Sequence, residues 1–361
     1  MKENKTPYIK LSLKTIKENL NFFSKTLGFQ KQEIYYPMKV NSDIKILSLL
    51  KDEGVNFETG AISEIEKLIK LGVSPQNIIY GNPVKADEHI LQAYNLGIRT
   101  IGLDSFVEME KISKLAPNSK LYFRLDISNH GAEWALTKKF GCSKTDLFEL
   151  FEKSKIFGLT PMGISFHVGW NNADVENWRN VFEYIDEIKN DLKKQFPDFN
   201  FINIGSGFPA HKNDGKENLK EISKIILPYL NKWRGENVKL ITEPGSFLVA
   251  YAGILHTKII EIIERKDKKW VFIDAGVFQG FFWTLSGINY NIRAEKQNNK
   301  EEFEEFVVCG PTCDSHDVFS YSVKLPKSIQ KGEILCIEPA GAYIYSAKEY
   351  NGFFYPPQIF E

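Results

Sequence analysis

The sequence predicts an α/β fold in two parts: a (β/α)8 TIM barrel over residues 16–252 and an antiparallel β domain over residues 253–361, which the N-terminal residues 1–15 join. Two observations predict it. Strand-like and helix-like segments alternate along the first part, as parallel βα units require. After residue 252 the helical pattern ends, and short segments rich in β-branched and aromatic residues follow. A doubly wound parallel sheet is the structural alternative for the first part, because periodicity alone does not separate it from a barrel.

The first part contains roughly eight βα units, the number that a closed barrel needs. Its strand-like segments are, in chain order, "EIYYPMKV", "VNFETG", "NIIYGN", "IRTIGLD", "KLYFRLDI", "GISFHV", "FINIGSG" and "KLITEPG". Its segments with helical periodicity include "LKTIKENLNFFSKTLG", "SDIKILSLLKDEG", "AISEIEKLIKLG", "ADEHILQAYNLG", "SFVEMEKISKLA" and "VENWRNVFEYIDEIKNDLKKQF". Gly54, Gly72 and Gly97 end three of these helices, as glycine commonly does at a C-cap.

The second part is typical of an antiparallel β domain. "GILHTKIIEIIERKDKKWVFIDAGV" contains two strand-like runs with a charged turn between them. "EEFVVCGPTC", "GEILCIEP" and "GAYIYSA" are short segments bounded by glycine and proline. The opening strand "PYIKLSL" precedes the first barrel unit and needs a partner sheet, so we expect it to join this domain.

Composition excludes several classes of protein. Lys+Arg and Asp+Glu both number 46, so the formal net charge is zero. The composition therefore shows no excess of positive charge that would favour binding to nucleic acid or an anionic membrane. No apolar run approaches the roughly 18 residues that span a bilayer, and the N-terminus has no apolar signal segment. Cys309 and Cys313 are not followed by a second cysteine cluster, so we expect no metal site. We expect a cytoplasmic protein with free thiols.

The residues at the predicted carboxyl ends of the barrel strands carry the chemistry, because a barrel displays its functional groups there. They are an amine, two carboxylates, a guanidinium, an imidazole and a glycine-rich turn: Lys39, Glu58, Glu243, Arg124, His167 and Gly205-Ser206-Gly207. Taken singly, a surface lysine, a core histidine and an ordinary turn are the commoner interpretations. Their shared location favours a functional one.

This set of groups fits a phosphate-bearing aldehyde cofactor. A lysine amine forms a Schiff base with a carbonyl. Successive backbone N–H groups in a glycine-rich turn bind a phosphate. A carboxylate can keep a pyridine nitrogen protonated, which makes the ring an electron sink, and an imidazole can stack on that ring. Together these groups indicate pyridoxal 5'-phosphate.

The same residues lie in longer stretches that follow one another in a fixed order between about residues 35 and 354. These stretches are "YYPMKVNSD", "FETGAISEIEKLIKLGV", "IIYGNPVK", "IGLDSFVEMEKI", "LYFRLDI", "KFG", "GISFHVGW", "INIGSGFP", "ITEPGSFLVAYAG", "DAGVFQGFF", "CGPTCDSHD" and "GAYIYSAKEYNGFF". With them the sequence resembles the fold-type III, alanine racemase-like, pyridoxal phosphate-dependent decarboxylases, which include ornithine and diaminopimelate decarboxylases. The resemblance implies an amino-acid decarboxylase with a TIM barrel and a β domain.

The resemblance implies a role for each group of the barrel. Lys39 has the position of the Schiff-base lysine, His167 that of the histidine stacked on the cofactor ring, and Glu243 that of the carboxylate on the pyridine nitrogen. Glu58 and Glu64 match positions around the site and are expected to support it. The implied cofactor-binding residues are Lys39, Arg124, His167, Gly205, Ser206, Gly207, Glu243, Gly245, Ser246 and Tyr343.

The β domain is expected to contribute to the site across the interface of a homodimer. Cys313 and Asp314, in "GPTCDSHD", match residues that the family sends into the partner's site. There the cysteine protonates the decarboxylated intermediate and the aspartate contacts the substrate. Tyr343 matches a tyrosine at the phosphate. The implied catalytic set is Lys39, His167, Glu243 and Cys313.

Three departures from the family pattern bear on cofactor and substrate. Ser246 stands where the family commonly has a phosphate-binding arginine, and Trp170 stands where a serine is expected. Either a cation of the nearby "AHKNDGK" loop compensates for the arginine, or the cofactor binds more weakly. Ser286 and Gly287 occupy the place of a Tyr-Asp pair whose aspartate meets a distal amine in ornithine decarboxylases. We therefore expect a substrate with a neutral, larger or carrier-attached side chain, such as an aminocarboxypropyl group in antibiotic or siderophore biosynthesis.

Three alternatives stay open at this point. One is an ordinary ornithine, lysine or diaminopimelate decarboxylase of polyamine or lysine metabolism. Another is a racemase of the same barrel class, although "GPTCDSHD" and "YNGFF" favour decarboxylation. The third is a non-catalytic, cofactor-binding regulatory homologue. Such a protein should have lost the lysine or the proton donor, and this sequence keeps both Lys39 and Cys313.

Overall fold

The computed structural model describes residues 5–136, 139–211, 213–266, 268–296, 302–345, 352 and 358–359. Its strands are β1 (Tyr8–Leu11), β2 (Tyr35–Pro37), β3 (Asn56–Thr59), β4 (Ile78–Tyr80), β5 (Thr100–Leu103), β6 (Lys120–Arg124), β7 (Ala132–Trp134), β8 (Thr160–Ser165), β9 (Trp170–Asn172), β10 (Phe201–Asn203), β11 (Lys239–Ile241), β12 (Gly253–Arg265), β13 (Lys268–Ile273), β14 (Asn291–Ala294), β15 (Phe303–Cys309), β16 (Val318–Pro326) and β17 (Ile334–Glu338). Its α-helices are α1 (Leu13–Leu27), α2 (Ile44–Asp52), α3 (Ile62–Lys70), α4 (Asp87–Asn95), α5 (Phe106–Leu115), α6 (Lys144–Ile156), α7 (Val175–Gln195), α8 (Gly215–Gly235) and α9 (Gly245–Val249).

The chain divides into two compact units. Lys17–Leu248 with Asn351–Glu361 form one, which we call the barrel unit, and Met1–Ile16 with Val249–Tyr350 form the other, which we call the β unit. The structure thus groups 351–361 with the barrel unit. The domain boundaries expected from the sequence, 16–252 for the barrel and 1–15 with 253–361 for the β domain, stay a prediction.

The parallel sheet of the barrel unit has eight strands in the order β11-β10-β8-β6-β5-β4-β3-β2. A parallel bridge between Ile34 and Thr242 joins its two edges. The Tyr35 amide donates to the Thr242 carbonyl at 2.8 Å, and the Thr242 amide donates to the Glu33 carbonyl at 3.1 Å. A doubly wound sheet would leave these edges apart, so the predicted barrel is confirmed.

Side chains fill the interior of the barrel, as the packed core of this architecture requires. One cluster draws a residue from each of six strands: Tyr35, Ile79, Tyr122, Met162, Phe201 and Ile241. The helices cover the outside with apolar faces. In α7 the buried residues recur every three or four positions, at Asn177, Trp178, Val181, Phe182, Ile185, Ile188, Lys189 and Leu192.

The sheet of the β unit has the strand order β14-β17-β12-β13-β15-β16, and β1 pairs with β12. The expected place of the N-terminal strand is therefore confirmed, since Tyr8–Leu11 pairs antiparallel with His256 to Gly253. One pair departs from the antiparallel expectation, because β13 and β15 are parallel. Parallel neighbours need a connection of a dozen or more residues, and residues 274–302 provide it.

Within the part of the chain that the structure describes, no helix has both the length and the apolar character needed to cross a membrane.

Candidate active site

Six sequence-predicted groups of the barrel unit lie at the carboxyl ends of its strands or on the turns that follow. Lys39 follows β2, Glu58 lies on β3 and Arg124 ends β6. His167 follows β8, the turn Gly205–Gly207 follows β10, and Glu243 follows β11. In a closed parallel barrel these ends form one mouth, so the fold brings the six groups to the same face.

Lys39 and Glu58 form an ion pair at this mouth. Lys39 sits on a single 3-10 turn, Met38–Val40, and its Nζ lies 3.7 Å from Oε2 of the buried Glu58. On the next strand end, Gly81 leaves room for this carboxylate, because a Cβ there would lie 2.5 Å from Glu58 Oε1. Beside the pair, burial raises the pKa of Glu64 to about 7, although the Gly60 amide donates to its Oε2 at 2.7 Å.

Glu243 is electrostatically coupled to that pair. Burial and then the negative charge of Glu58 raise the pKa of Glu243 to about 7, while Lys39 and Arg124 act in the opposite direction. Glu58 and Glu243 thus lie near the cations Lys39 and Arg124, where burial limits the contact of the carboxylates with water. Perturbed carboxyl groups of this kind are frequent at functional sites.

Asn203, at the end of β10, holds Glu243 in place and was not singled out by the sequence reasoning. Its Nδ2 donates to Glu243 Oε1 at 2.6 Å, and its Oδ1 accepts from the Gly205 amide at 2.9 Å. The Glu243 amide in turn donates to the Gly205 carbonyl at 2.7 Å. The sequence places this asparagine inside "INIGSG", two residues before the turn, but does not reveal its contact with Glu243.

His167 is held as a neutral ring. Burial lowers the pKa of its imidazole well below the usual value, and the positive charges of Arg124 and Lys39 lower it further. The Gly169 amide donates to His167 Nδ1 at 3.1 Å, which places the proton of the neutral ring on Nε2. The ring can therefore present a flat, uncharged face and one N–H donor.

The turn after β10 can be built only with glycine. Gly205 has φ +64° and Gly207 has φ +109°. A Cβ on Gly205 would lie 2.0 Å from the Phe166 carbonyl oxygen, and one on Gly207 would lie 2.4 Å from Val168 Cγ2. Ser206 between them is half-buried. Such a turn offers successive N–H groups to an anion.

Two of the departures from the family pattern contact each other. Trp170, on β9, donates its indole Nε1–H to Ser246 Oγ at 3.1 Å, and Ser246 is buried at the start of α9. Gly245 packs against the lysine turn, because a Cβ there would lie 2.5 Å from Val40 Cγ2. Ser246, which the resemblance predicts to stand in place of an arginine, is therefore paired with Trp170, which it predicts to stand in place of a serine.

His211 is engaged by neighbouring carboxylates. Its Nε2 lies 2.8 Å from Glu133 Oε1 and its Nδ1 lies 3.4 Å from Asp214 Oδ1. The hydrogen bond that His211 donates to the Glu133 carboxylate raises the pKa of His211. Lys212, the other cation of the same loop, lies outside the described residues.

The remaining predicted residues lie in the β unit. Cys313 is exposed, and Asp314 Oδ1 accepts from the His316 amide at 2.8 Å, which lowers the pKa of Asp314. Tyr343 has φ +61°, and its ring meets the Trp283 ring edge-on with centroids 6.5 Å apart. Ser286 and Gly287 are exposed and end a 3-10 turn.

A buried aspartate that the sequence reasoning did not single out organises the loop that carries Cys313. Asp317 accepts from the Val277 amide at 2.7 Å, the Thr312 amide at 3.1 Å and the Thr312 hydroxyl at 2.7 Å. Gly310 leaves room for this carboxylate, because a Cβ at that position would lie 2.3 Å from its Oδ1. Asp317 thus shapes the turn from the end of β15 to the start of β16.

Comparison with known proteins assigns a family to this arrangement. The model of the family described as "Pyridoxal-dependent decarboxylase, pyridoxal binding domain" matches residues 13–250. An ornithine decarboxylase of Schizosaccharomyces pombe is 28% identical over 331 residues, covering 88% of this chain and 75% of that protein. A diaminopimelate decarboxylase of Helicobacter pylori is 28% identical over 361 residues, covering 96% of this chain and 88% of that protein. The crystal structure of the Paramecium bursaria Chlorella virus arginine decarboxylase bound to agmatine is 26% identical with a TM-score of 0.88, covering 98% of this chain and 95% of that chain.

Proposed function

The chain belongs to the pyridoxal-dependent decarboxylase family, whose cofactor is pyridoxal 5'-phosphate, and we propose that it removes the α-carboxylate of an amino acid at the mouth of its barrel, giving an amine and CO2. The family and the cofactor expected from the sequence are both confirmed by this match. The proposal rests on a set of groups at the barrel mouth whose charges act on one another. They are Lys39, Glu58, Glu243, Arg124 and His167.

The residues present fit that cofactor. The turn Gly205–Gly207 offers backbone N–H groups for its phosphate. Lys39 would hold it through its amine, and the neutral ring of His167 would lie against it. When bound, pyridoxal phosphate supplies an electron sink for the electron pair that the departing carboxylate leaves behind.

The protein's part is to hold protons and exclude water. Glu243 would keep a proton on the ring nitrogen of the cofactor, and Asn203 keeps that carboxylate oriented. Glu58 pairs with Lys39 and would hold its amine in place before the cofactor binds. We assign to Cys313 of the partner subunit the proton that the former α-carbon receives, and to Asp314 a substrate contact.

Replacing the lysine tests the proposal directly. In Lys39→Ala the visible absorbance of bound pyridoxal phosphate should be lost, and CO2 release should fall by about 10³-fold or more, as on removal of a nucleophile. Lys45→Ala, an exposed lysine of the adjacent helix α2, is the matched control and should behave like the wild type. An absorbance unchanged by Lys39→Ala would refute the assignment.

We further propose an atypical substrate, an amino acid whose side chain is neutral, larger or attached to a carrier, such as an aminocarboxypropyl group in a natural-product pathway. Support comes from Ser286 and Gly287, which offer no carboxylate to a distal ammonium group. An ordinary ornithine, lysine or diaminopimelate decarboxylase is the alternative, and relatives bearing those names favour it.

A panel of substrates separates these two possibilities. CO2 release would be measured with L-ornithine, L-lysine and diaminopimelate, and with amino acids whose side chain is neutral or extended. We expect turnover of the second group to exceed that of the first by about tenfold or more. Ser286 and Gly287 offer no carboxylate, so Asp314 alone would have to offset the burial of a distal ammonium group. Efficient turnover of L-ornithine or L-lysine would establish the ordinary decarboxylase instead.

We propose that the active form is a cytoplasmic homodimer with shared sites, supported by the exposure of Cys313 on a loop that Asp317 holds in shape. Lys39→Ala and Cys313→Ala should each be nearly inactive. After the two are dissociated and mixed, random pairing should restore about a quarter of wild-type activity, because half of the dimers are mixed and each has one intact site. Absence of recovery in a mixture shown to contain mixed dimers would contradict a shared site.

A further inference from the structure

Three neighbouring strands of the β unit bring a histidine, a cysteine and a glutamate together. His256 on β12 lies directly opposite Cys336 on β17, and Cys336 lies opposite Arg293 on β14. Glu295 is two residues beyond Arg293, so its side chain points to the same face of the sheet. The core residues Leu255 and Ile337 alternate with this set and lie on the other face.

The potential ligand atoms of these three side chains converge. His256 Nδ1 lies 3.1 Å from Glu295 Oε1 and 3.7 Å from Cys336 Sγ, and all three atoms lie within 4.8 Å of one another. His256 is 8% exposed and Cys336 is 1% exposed, whereas Glu295 is open to solvent. The cluster is therefore closed on the protein side and accessible through the carboxylate.

The two separations measured from His256 Nδ1, 3.1 Å to Glu295 Oε1 and 3.7 Å to Cys336 Sγ, are close to those of a tetrahedral zinc site. With Zn–S near 2.3 Å and Zn–N or Zn–O near 2.0 Å, tetrahedral angles place a nitrogen and a sulfur ligand about 3.6 Å apart and a nitrogen and an oxygen ligand about 3.3 Å apart. A thiolate, an imidazole and a carboxylate are ligands that zinc accepts. The two anionic ligands would also neutralise a divalent cation, which limits the cost of burying it.

The polar contacts of His256 among the described residues converge on its Nδ1. Among the described residues, the buried His256 Nε2 has no hydrogen-bond partner, so the ring is held only from its Nδ1 side. There a thiol and a carboxylate both approach one nitrogen, and a single Nδ1–H can be given to only one of them. Tyr8 stacks on the ring at 4.9 Å between centroids and fixes its orientation.

The charges around the cluster balance. Lys10 and Arg293 act on Cys336 as positive charges, and Glu295 and Glu338 act as negative ones.

We propose that His256 Nδ1, Cys336 Sγ and Glu295 form a binding site for one zinc ion, with a fourth position open to water. The ion cross-links β12, β14 and β17 and so stabilises the sheet of the β unit. The site involves neither Cys309 nor Cys313, the pair weighed from the sequence.

Metal binding to the full chain with its cofactor tests the proposal. After dialysis against a chelator, the protein would be titrated with Zn²⁺ in competition with a chromophoric chelator, and with Co²⁺ to observe the thiolate-to-metal charge-transfer band. We expect one ion per chain and a thiolate band. Cys336→Ala should weaken Zn²⁺ binding by about 100-fold or more and abolish the band, exceeding the effect typical of outer-shell changes.

Two further variants make the result decisive. Cys309 is another buried thiol of the same unit, and it contacts the Val271 carbonyl rather than a histidine. Cys309→Ala should therefore bind Zn²⁺ like the wild type. Glu295→Gln changes an exposed side chain, so it should fold even if Cys336→Ala does not, and it should weaken binding by about tenfold or more. A wild type that binds no Zn²⁺, a Co²⁺ spectrum without the thiolate band, or equal affinity in Glu295→Gln would overturn the proposal.

Discussion

The candidate groups of the barrel unit and those of the β unit differ in how far they are organised within one chain. Lys39, Glu58 and Glu243 alter one another's electrostatics, and the carboxyl pKa of Glu243 is raised to about 7. Cys313 is exposed, and the hydrogen bonds of Asp314 among the described residues join it to its own turn, at Thr312, His316 and Asp317. The barrel unit thus holds a preorganised set of groups. The β unit instead leaves Cys313 and Asp314, for which we propose roles in a partner's site, exposed on its surface.

The organisation of the barrel groups has an energetic cost. Burying Glu243 and Glu64 raises the pKa of both carboxyl groups, so the protein loses stability as the pH rises and they ionise. Groups kept in such an environment are typical of sites where charge is used.

The largest effect that would test this comparison is expected at Glu243. In Glu243→Gln the side chain keeps its shape and its contact with Asn203 but cannot hold a proton on the cofactor nitrogen. CO2 release should fall by about 10²–10³-fold, as for the loss of one preorganised electrostatic contact. Bound cofactor, measured by its absorbance, should stay near stoichiometric. Glu66→Gln, an exposed glutamate on α3, serves as the control and should retain activity.

The second effect concerns Trp170 and Ser246, which pair with each other where the family has a serine and an arginine. The double variant Trp170→Ser/Ser246→Arg supplies a charged donor for the phosphate, worth about 1.5–3 kcal/mol, so cofactor affinity should rise by about tenfold or more. Ser246→Arg alone places a guanidinium against the indole and should not give this gain. Equilibrium titration with pyridoxal phosphate measures both, and equal affinity in wild type and double variant would show that another group already supplies the charge.

The third prediction tests whether a change in the β unit lowers turnover without changing cofactor binding in the barrel unit. Asp317→Asn removes the charge that accepts three hydrogen bonds and loosens the loop carrying Cys313. We expect turnover to fall by about five- to tenfold, equivalent to about 1 kcal/mol of lost hydrogen bonding, with unchanged cofactor affinity. Asp274 accepts a hydrogen bond from the Thr257 hydroxyl in the same unit, so Asp274→Asn is a matched control and should leave turnover unchanged. A drop in cofactor affinity in Asp317→Asn would mean that the two units are not functionally separable.

The sequence predicted the strands and helices of the barrel well, because alternating segments and glycine caps are local signals. Closure of the sheet into a barrel has no local signal. Only the bridge from Ile34 to Thr242 distinguishes a barrel from an open sheet, and it joins residues some 200 positions apart. The strand-end residues Lys39, His167 and Glu243 could be located for the same reason, since strand ends are readable from pattern. Asn203 and Asp317 could not, because their roles depend on hydrogen bonds to other segments that no local pattern encodes.

The smallest effect lies at the loops of the barrel mouth, where Glu133 on β7 meets His211. The hydrogen bond that His211 donates to Glu133 raises the pKa of His211. Its stabilisation is fully present below the usual histidine pKa near 6.5 and is lost as the pH rises through the raised value. Both side chains are partly exposed, so we expect less than about 1 kcal/mol. Hydrogen exchange of the β7 and β9 amides, compared between wild type and Glu133→Gln at each pH, should show greater protection in the wild type below about pH 6.5. The two proteins should converge only as the pH passes the raised pKa of His211. Equal protection at low pH would show that the β7–β9 pairing alone orders these loops. The solvent-screened pair Glu133–His211 would then differ even more from the strongly interacting groups at Lys39, Glu58 and Glu243.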